Sequence, residues 1–295
     1  MSMDDDHGLV SPLERRSPSV RFSLGAIQGI VLALLVFSGL GPLLWILKNS
    51  VSTANEITTT PLRAWPRDGI QWSNLTQAFA QAQMGSKLLN TAVMAAGSLV
   101  VSLTVCVCAA YVLSILRPRW GPALDGAIMV TLFVPGVISL VPLYLTIVRM
   151  PLVDVSLLNT YFAVWLPSGA NAFSILVVKR FFDALPRELF EAARVDGAGP
   201  LRILFAIVLP LSTPILGVIA LLSVVGSWKD FLWPLLVLSP EQQPISVGLS
   251  NLAKIAPINI QVASLLLALI VPLALFLTFQ RRFLNSVGLA GGIKG

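Results

Sequence analysis

Long apolar runs alternate with short polar segments along most of this 295-residue chain. Six of the runs contain no Asp, Glu, Lys or Arg and reach the roughly 20 residues that a helix needs to cross a bilayer. Because a backbone in lipid must satisfy its own hydrogen bonds, we expect each run to be a helix. The six runs are Phe22–Leu47, Leu88–Leu116, Gly126–Val148, Val155–Val178, Ile203–Trp228 and Ile255–Gln280.

Prolines lie inside several of these runs, which would be a strong objection to helices in a soluble protein. A proline removes one helical hydrogen bond and kinks the helix, but membrane bundles tolerate such kinks. The pattern therefore predicts an all-α fold, a polytopic membrane bundle of six transmembrane helices. These prolines include Pro135, Pro142, Pro167, Pro210, Pro214 and Pro272.

Composition supports a membrane protein. The chain is 56% hydrophobic and only 12% charged, about half the charge of a typical soluble domain. The net charge of +6 comes from dispersed Lys and Arg residues, which is typical of basic cytoplasmic loops rather than of nucleic-acid binding. Cys106 and Cys108 are two residues apart and would point in different directions on a helix. We therefore expect no disulfide or metal pair between them.

Six spans place both termini on the same side of the membrane. With cytoplasmic termini, thirteen of the 20 Lys and Arg residues fall in inner segments, which favours this orientation in a cytoplasmic membrane. The only histidine, His7, lies in the polar N-terminal tail, and no function is assigned to it. The predicted organisation is a disordered tail (1–21), a permease domain (22–284) with outer loops at 48–87 and 229–257 and an inner loop at 179–202, and a C-terminal tail (285–295).

Several signatures of autonomous chemistry are missing from the sequence. It contains no G-x-x-x-x-G-K-[ST] phosphate loop, no H-E-x-x-H, no C-x-x-C and no G-x-S-x-G. The six runs hold no acidic residue, which argues against a proton-driven carrier that works alone. A channel or a Na⁺-coupled carrier stays open. We expect no catalytic residue, no metal site and no enzyme activity, and any energy to come from another subunit.

The inner loop, KRFFDALPRELFEAARVDGAGPLR, is the most polar part of the chain. Pro186 suits the first turn of a helix, and Glu188 and Glu191 then favour its N-terminus. Gly197 can adopt the left-handed conformation that ends a helix. The loop therefore predicts a helix of two to three turns. Its expected apolar face consists of Leu185, Leu189 and Ala192 or Ala193.

This loop resembles the EAA loop of the membrane subunits of ATP-binding-cassette importers. The resemblance rests on Glu191-Ala192-Ala193, three residues, Gly197, nine residues, and then Ile207-x-Leu209-Pro210. The likeness covers about residues 24–295. It includes Trp228-Lys229-Asp230-Phe231 with Pro234, Pro244 to Leu249, and a tail from Arg281 to Gly295 similar to that of the smaller, maltose-type sugar permeases. Asn90 stands where that group has an Asn-Ser pair, with Thr91 replacing the serine.

The resemblance implies a permease subunit of an ATP-driven, binding-protein-dependent importer, with a carbohydrate as the solute. The implied partners are a second permease, two ATPase subunits that use ATP and Mg, and an extracytoplasmic solute-binding protein. The chain itself would bind no cofactor. The implied ATPase-coupling residues are Glu188, Glu191, Ala192, Ala193, Asp196 and Gly197, and the implied binding-protein contacts are Pro244, Gly248, Leu249 and Asn251.

Polar and aromatic residues of the fourth and fifth runs are candidates for the solute path. Sugar hydroxyls need hydrogen-bond partners, and sugar rings stack on aromatic faces. The alternative is that these side chains only join helices, as Ser and Asn commonly do in membranes. The candidates are Asn159, Tyr161, Ser168, Asn171, Ser174, Ser223, Ser227 and Trp228.

Three other functions remain open at this point. The first is an importer of the same type for a phosphorylated polyol, an amino acid or a peptide. The second is a channel or secondary carrier that works alone, which transport by the purified chain without ATP would reveal. The third is a structural membrane scaffold, which the specific inner loop disfavours.

Overall fold

The computed structural model of the chain describes residues 18–151 and 154–291. Every regular element in these residues is helical, so the all-α prediction is confirmed. In chain order the α-helices are α1 (Pro18–Ser50), α2 (Ala54–Thr59), α3 (Ser73–Gln81), α4 (Met84–Tyr111), α5 (Gly121–Thr131), α6 (Leu140–Val148), α7 (Phe162–Ser168), α8 (Ala172–Asp183), α9 (Arg187–Val195), α10 (Pro200–Ile203), α11 (Leu209–Leu211), α12 (Thr213–Lys229), α13 (Leu232–Val237), α14 (Ile245–Leu252) and α15 (Ile258–Gly291). Two π-helical turns, Val112–Leu116 and Leu204–Val208, extend α4 and join α10 to α11.

Three single helices among the described residues are long and apolar enough to cross a membrane. They are α1, α4 with its π turn, and α15. Two bent helix pairs, α7 with α8 at 42° and α10–α11 with α12 at 78°, meet the same test when each pair is taken as one span. Pro214 explains part of the sharper bend because it has no N–H to donate to the carbonyl of Pro210. The hydroxyl of Thr213 donates to that carbonyl instead, at 2.8 Å.

The third predicted run, Gly126–Val148, is not a continuous helix. α5 ends at Thr131 and α6 begins at Leu140, with turns between them. Pro142 contributes to this break because it cannot donate to the carbonyl of Ile138, four residues earlier. The prediction of one helix through this run is wrong, and the described residues offer at most five spans by length and composition. The count of six spans stays a prediction.

The helices at both ends of the chain extend beyond the predicted spans. α1 begins at Pro18, so residues 18–21 belong to a helix rather than to the predicted tail. The rest of that tail, with His7, lies outside the described residues. α15 continues to Gly291, past the predicted boundary at 284, and the last four residues also lie outside the described part.

The helix α4 is the centre of the bundle. It packs against α7, α8 and α12, whereas α15 packs against α1, α3 and α12. Cys106 is buried and Cys108 is exposed, and both thiols are free. One apolar cluster joins the inner halves of the helices, and its buried members are Cys106, Val107, Ala110, Tyr111, Ile175, Val178, Phe182, Phe190, Ile203, Leu204, Val208 and Ile219.

A buried carboxylate organises the outer loop between α1 and α4. Glu56 completes a capping box with Thr53 at the start of α2. Its Oε1 also accepts the backbone N–H groups of Arg67 and, at 3.2 Å, Asp68. Burial opposes ionisation of Glu56, but these N–H groups and the charge of Lys48 outweigh burial and lower its pKa. The loop therefore folds around the ionised carboxylate.

We expect Glu56→Gln to loosen this loop at neutral pH. A group whose pKa is lowered by folding stabilises the fold above its ordinary pKa, here 4.5, and that stabilisation is lost as the pH falls through the folded value. Amide hydrogen exchange at Arg67 and Asp68 measures the effect. Exchange should accelerate in Glu56→Gln at pH 7, and in the wild type only under acidic conditions. Asp68→Asn is the control, and equal protection in Glu56→Gln and wild type at pH 7 would contradict the expectation.

Candidate functional site

The inner loop forms a short helix with defined ends. α9 starts after Pro186, carries Glu188 in its first turn and Arg194 in its last, where the helix dipole favours each charge. Gly197 follows with φ of +79°, and the N–H of Ala198 donates to the carbonyl of Ala193 at 2.8 Å. This is the left-handed helix end predicted for Gly197. The helix spans nine residues, Arg187–Val195.

The two faces of α9 differ from the sequence prediction. Phe190 is buried in the apolar cluster of the inner halves, and Ala193, three residues on, packs against that cluster. Leu185 packs there too, but Leu189 and Ala192 are exposed. The predicted face was therefore partly wrong, because the large ring of Phe190 sets which side of the helix turns inward.

The outward face of α9 is continuous. Glu188, Glu191, Ala192 and Val195 follow the i, i+3, i+4, i+7 spacing of one helix face, and all four are exposed. Val195 is 88% exposed, which is unusual for a branched apolar side chain. Asp196 and Gly197 are also exposed just beyond the helix. Five of the six predicted coupling residues are thus exposed, and Ala193 is half-buried.

A cavity of about 520 Å³ lies between α4, α7–α8, α12 and the start of α13. Its lining includes five of the eight predicted solute-path residues, namely Ser168, Asn171, Ser174, Ser223 and Ser227. It also includes residues that the sequence reasoning did not select, chiefly Ser98, Ser102, Phe173, Asp230 and Trp233. Ser98 and Ser102 are four residues apart in an apolar run, a spacing that could have revealed them. Asp230 belongs to the Trp-Lys-Asp-Phe segment, and nothing in its sequence context marks it as a cavity residue.

The cavity offers hydroxyl, amide and carboxylate groups beside aromatic rings. The hydroxyl of Ser98 is buried with no hydrogen-bond partner in the described part of the chain. Asn171 caps α8 by accepting the N–H of Ser174 at 2.9 Å. Burial raises the pKa of Asp230, although the N–H groups of Trp233 and Phe231 act against this rise. Such a lining suits a solute rich in hydroxyl groups.

The other three predicted path residues lie outside this lining. Asn159 has φ of +58° and its N–H donates to the carbonyl of Val237 at 2.8 Å. Tyr161 donates its hydroxyl proton to Oδ1 of Asn90 at 3.0 Å. Trp228 packs against an apolar cluster on the other side of α12 that includes Met84. Each of these three residues therefore contacts another segment of the bundle rather than the cavity.

The outer end of α4 holds the segment that follows α13. The side-chain amide of Asn90 donates to the carbonyl of Gln243 at 3.1 Å, and the hydroxyl of Thr91 accepts the N–H of Ile245 at 2.9 Å. Lys87 donates to the carbonyl of Pro240. Asn90 and Thr91 thus fix the start of α14, and a hydroxyl at position 91 is what this contact requires.

The predicted binding-protein contacts are unevenly accessible. Pro244 is buried, Gly248 and Leu249 are half-buried, and Asn251 is exposed. Beyond Asn251 the chain presents Ile255, which is 84% exposed. Pro244 is therefore poorly placed to touch another protein in this structure, and the accessible surface lies at the end of α14 and after it.

Known proteins resemble this chain over most of its length. The model of the family "Binding-protein-dependent transport system inner membrane component" matches residues 107–287. The diacetylchitobiose uptake system permease protein NgcG of Streptomyces coelicolor is 27% identical over 283 residues, which are 93% of this chain and 91% of that protein. The sn-glycerol-3-phosphate transport system permease protein UgpE of Pectobacterium atrosepticum is 30% identical over 79% of this chain and 84% of that protein. The lactose transport system permease protein LacG of Rhizobium radiobacter is 28% identical over 97% of this chain and 100% of that protein.

A solved structure has a similar fold. It is a chain of a bacterial ABC transporter involved in the import of the acidic polysaccharide alginate, with a TM-score of 0.76 and 25% identity. The match covers 90% of this chain and 98% of that one.

Proposed function

Because the chain belongs to the family of binding-protein-dependent transport system inner membrane components, we propose that it forms the solute path of a carbohydrate importer and is driven by a partner ATPase through α9. The chain is an integral membrane permease subunit rather than an enzyme. The proposal adds three statements to this: the coupling to ATP, the class of solute and the partner proteins.

The geometry of α9 carries the proposal of ATP coupling. The outward face of α9 is exposed and consists of Glu188, Glu191, Ala192 and Val195. On the opposite face, Phe190 is buried in the cluster that joins α4, α8 and α12. Close-packed interiors transmit displacement because they deform little. A partner protein that pushes on the outward face of α9 would therefore move the bundle. The short side chains of Ala192 and Val195 suit a shallow cleft in the partner. The carboxylates of Glu188 and Glu191 suit basic groups in that cleft.

Cross-linking from position 195 tests this contact. Val195→Cys, in a chain whose two native cysteines are replaced by alanine, should cross-link to an ATPase subunit when the intact complex is treated with a short reagent that joins a thiol to a lysine amine. The yield should change when ATP binds. Leu62→Cys is the matched control, since Leu62 is an equally exposed apolar residue (89%) in the outer loop. Cross-linking that is equal at both positions, or absent at 195, would refute the contact.

A carbohydrate solute is supported by the relatives and by the cavity. Two of the similar proteins are named for diacetylchitobiose and lactose, and the similar structure for alginate. The cavity supplies hydroxyl groups with Trp233 and Phe173 beside them, the combination that sugar recognition uses. The relative named for sn-glycerol-3-phosphate keeps a phosphorylated polyol as the alternative solute.

We expect Ser223→Leu to impair solute transport without impairing assembly. The substitution fills part of the cavity and removes a hydroxyl, so the apparent affinity of uptake should fall several-fold, while the complex still purifies. Val225→Leu, on the same helix but outside the cavity lining, is the control and should transport normally. Normal uptake kinetics in Ser223→Leu would contradict a solute path through this cavity.

The break between α5 and α6 supports the presence of a second permease subunit. Among the described residues, the carbonyl groups of 132–134 and the N–H groups of Gly136 and Val137 have no hydrogen-bond partner. Such an irregular backbone is not stable in contact with lipid. Contact with water is also unfavourable, because the apolar side chains of Phe133 and Val137 are 82% and 78% exposed. Another protein with apolar helices would cover both kinds of surface.

The remaining parts of the proposal follow from the family. A solute-binding protein would deliver the solute on the outer side, near the exposed end of α14. The termini would be cytoplasmic, since α9 must meet the ATPase there. The chain would hold no ATP itself, and Mg and ATP would bind to the ATPase subunits.

A further inference from the structure

The inner ends of α4 and α8 meet at one carboxylate, Asp183, the last residue of α8. Ser114, in the π turn that extends α4, donates its hydroxyl proton to Asp183 Oδ1 at 2.8 Å. Arg117 Nη2 lies 3.5 Å from the same oxygen. Lys179 Nζ, one turn earlier on α8, donates to Oδ2 at 2.9 Å. Both oxygens of Asp183 are therefore engaged by groups from two elements.

The same network reaches α5. Lys179 Nζ also lies 3.5 Å from Asp125 Oδ2, so two carboxylates and two cations form a neutral cluster. The side chain of Lys179 is 18% exposed, and those of Asp125 and Asp183 are each 32% exposed. Pairs that are this shielded are screened less by solvent than ordinary surface pairs. The cluster therefore ties the inner ends of α4, α5 and α8 together.

This cluster lies directly beside α9. Only three residues separate Asp183 from Arg187, where α9 begins. A cavity between them is lined by Arg117 and Asp183 on one side and by Arg187, Glu191 and Arg194 of α9 on the other. The ring of Phe182, next to Asp183, is buried in the same cluster as Phe190 of α9. A displacement of α9 thus acts first on the end of α8.

We propose that Asp183 is a positioning residue that passes the movement of α9 to α4 and α5, so that the inner ends of α4, α5 and α8 move as one body. This inference rests on the proposed ATP coupling and adds a route to it. One route is the chain itself, which continues from α9 through Gly197 into α10 and on to α12. The second runs through Asp183 to α4, which carries Ser98 and Ser102 in the wall of the cavity. Both walls of the cavity would then respond to a single push.

The ratio of solute transported to ATP hydrolysed tests this role in the reconstituted complex. Asp183→Asn should lower that ratio about fivefold or more, the lower end of the effects seen for coupled sites, while ATP hydrolysis continues. Asp183→Glu keeps the charge and should restore most of the ratio. Asp154→Asn is the control. It removes an ion pair with Arg149 that is not part of this cluster, in which the side chains of Arg149 and Asp154 are 78% and 69% exposed. This variant should leave the ratio unchanged.

A cross-link separates coupling from simple stability. In a chain without Cys106 and Cys108, Ser114→Cys combined with Asp183→Cys removes the carboxylate but allows a short thiol-to-thiol link between α4 and α8. The reduced protein should be uncoupled, and the linked protein should recover solute transport because the two helix ends move together. Full coupling in Asp183→Asn, or loss of transport on linking, would overturn the inference. A wild-type complex without ATP-dependent uptake would instead refute the proposed function, and this is measured before any variant.

Discussion

Replacement of Gly197 by valine is expected to abolish most ATP-dependent transport while the subunits still assemble. Gly197 has φ of +79°, a conformation that costs other residues roughly 1–3 kcal/mol and β-branched ones most. No atom lies within 4 Å of the position that a Cβ would occupy, so the effect would come from the backbone alone. To relieve the strain, the chain must change the angle at which α9 leaves for α10. Uptake into proteoliposomes, together with ATP hydrolysis, measures the result.

Gly199 provides the matched control for this experiment. It lies two residues further on, is equally free of contacts, and has φ of −72° and ψ of 166°, which suits any residue before a proline. Gly199→Val should therefore transport like the wild type. If both variants are equally impaired, bulk in the loop rather than the direction of the chain at Gly197 is what matters.

Replacement of Gly97 by alanine is expected to disrupt the packing of α4 against α7. A Cβ at position 97 would overlap the indole ring of Trp165, which in turn stacks on Tyr161 and meets Phe162 edge-on. Overpacking of this kind costs typically about 1–3 kcal/mol. Because Tyr161 also holds Asn90, displacement of Trp165 should disturb the outer end of α4 as well. Thermal unfolding of the purified complex and uptake should both be impaired.

Two further variants separate this explanation from a general effect of alanine in α4. Gly85→Ala, on the same helix, would meet only Phe79 at 3.9 Å, an ordinary contact, and should be neutral. Gly97→Ala combined with Trp165→Leu replaces the ring with a smaller side chain and should recover part of the lost stability. If Gly97→Ala unfolds at the wild-type temperature, the close approach of Trp165 to α4 is not needed.

The features of the chain that could be predicted from sequence are those set by local rules. The helix α9 and its end at Gly197 follow from Pro186, the early acids and the glycine, each of which acts on its immediate neighbours. The apolar runs likewise predict membrane helices because a single helix can satisfy its own backbone. Five of the eight candidate path residues line the cavity, and the sequence singled them out because hydroxyl and amide groups are rare in apolar runs.

The features that the sequence did not reveal depend on contacts between distant segments. The inward face of α9 is decided by Phe190, whose ring fits a cluster built from α4, α8 and α12. Tyr161 looked suitable for a sugar but bonds to Asn90, 71 residues away. Pro135 and Pro142 weaken the helix between α5 and α6, but whether the helix breaks there depends on how the surrounding helices pack. In each case tertiary packing overrides the local preference.

Solute uptake by purified protein in proteoliposomes tests the central claim most directly. The chain should transport only when it is reconstituted with its second permease and its ATPase subunits, with ATP on the side of α9 and a loaded binding protein on the other side. Omission of ATP, or of the ATPase subunits, should reduce uptake to the level of empty vesicles. Uptake by the chain alone without ATP would contradict the claim and would identify the protein as an autonomous channel or carrier.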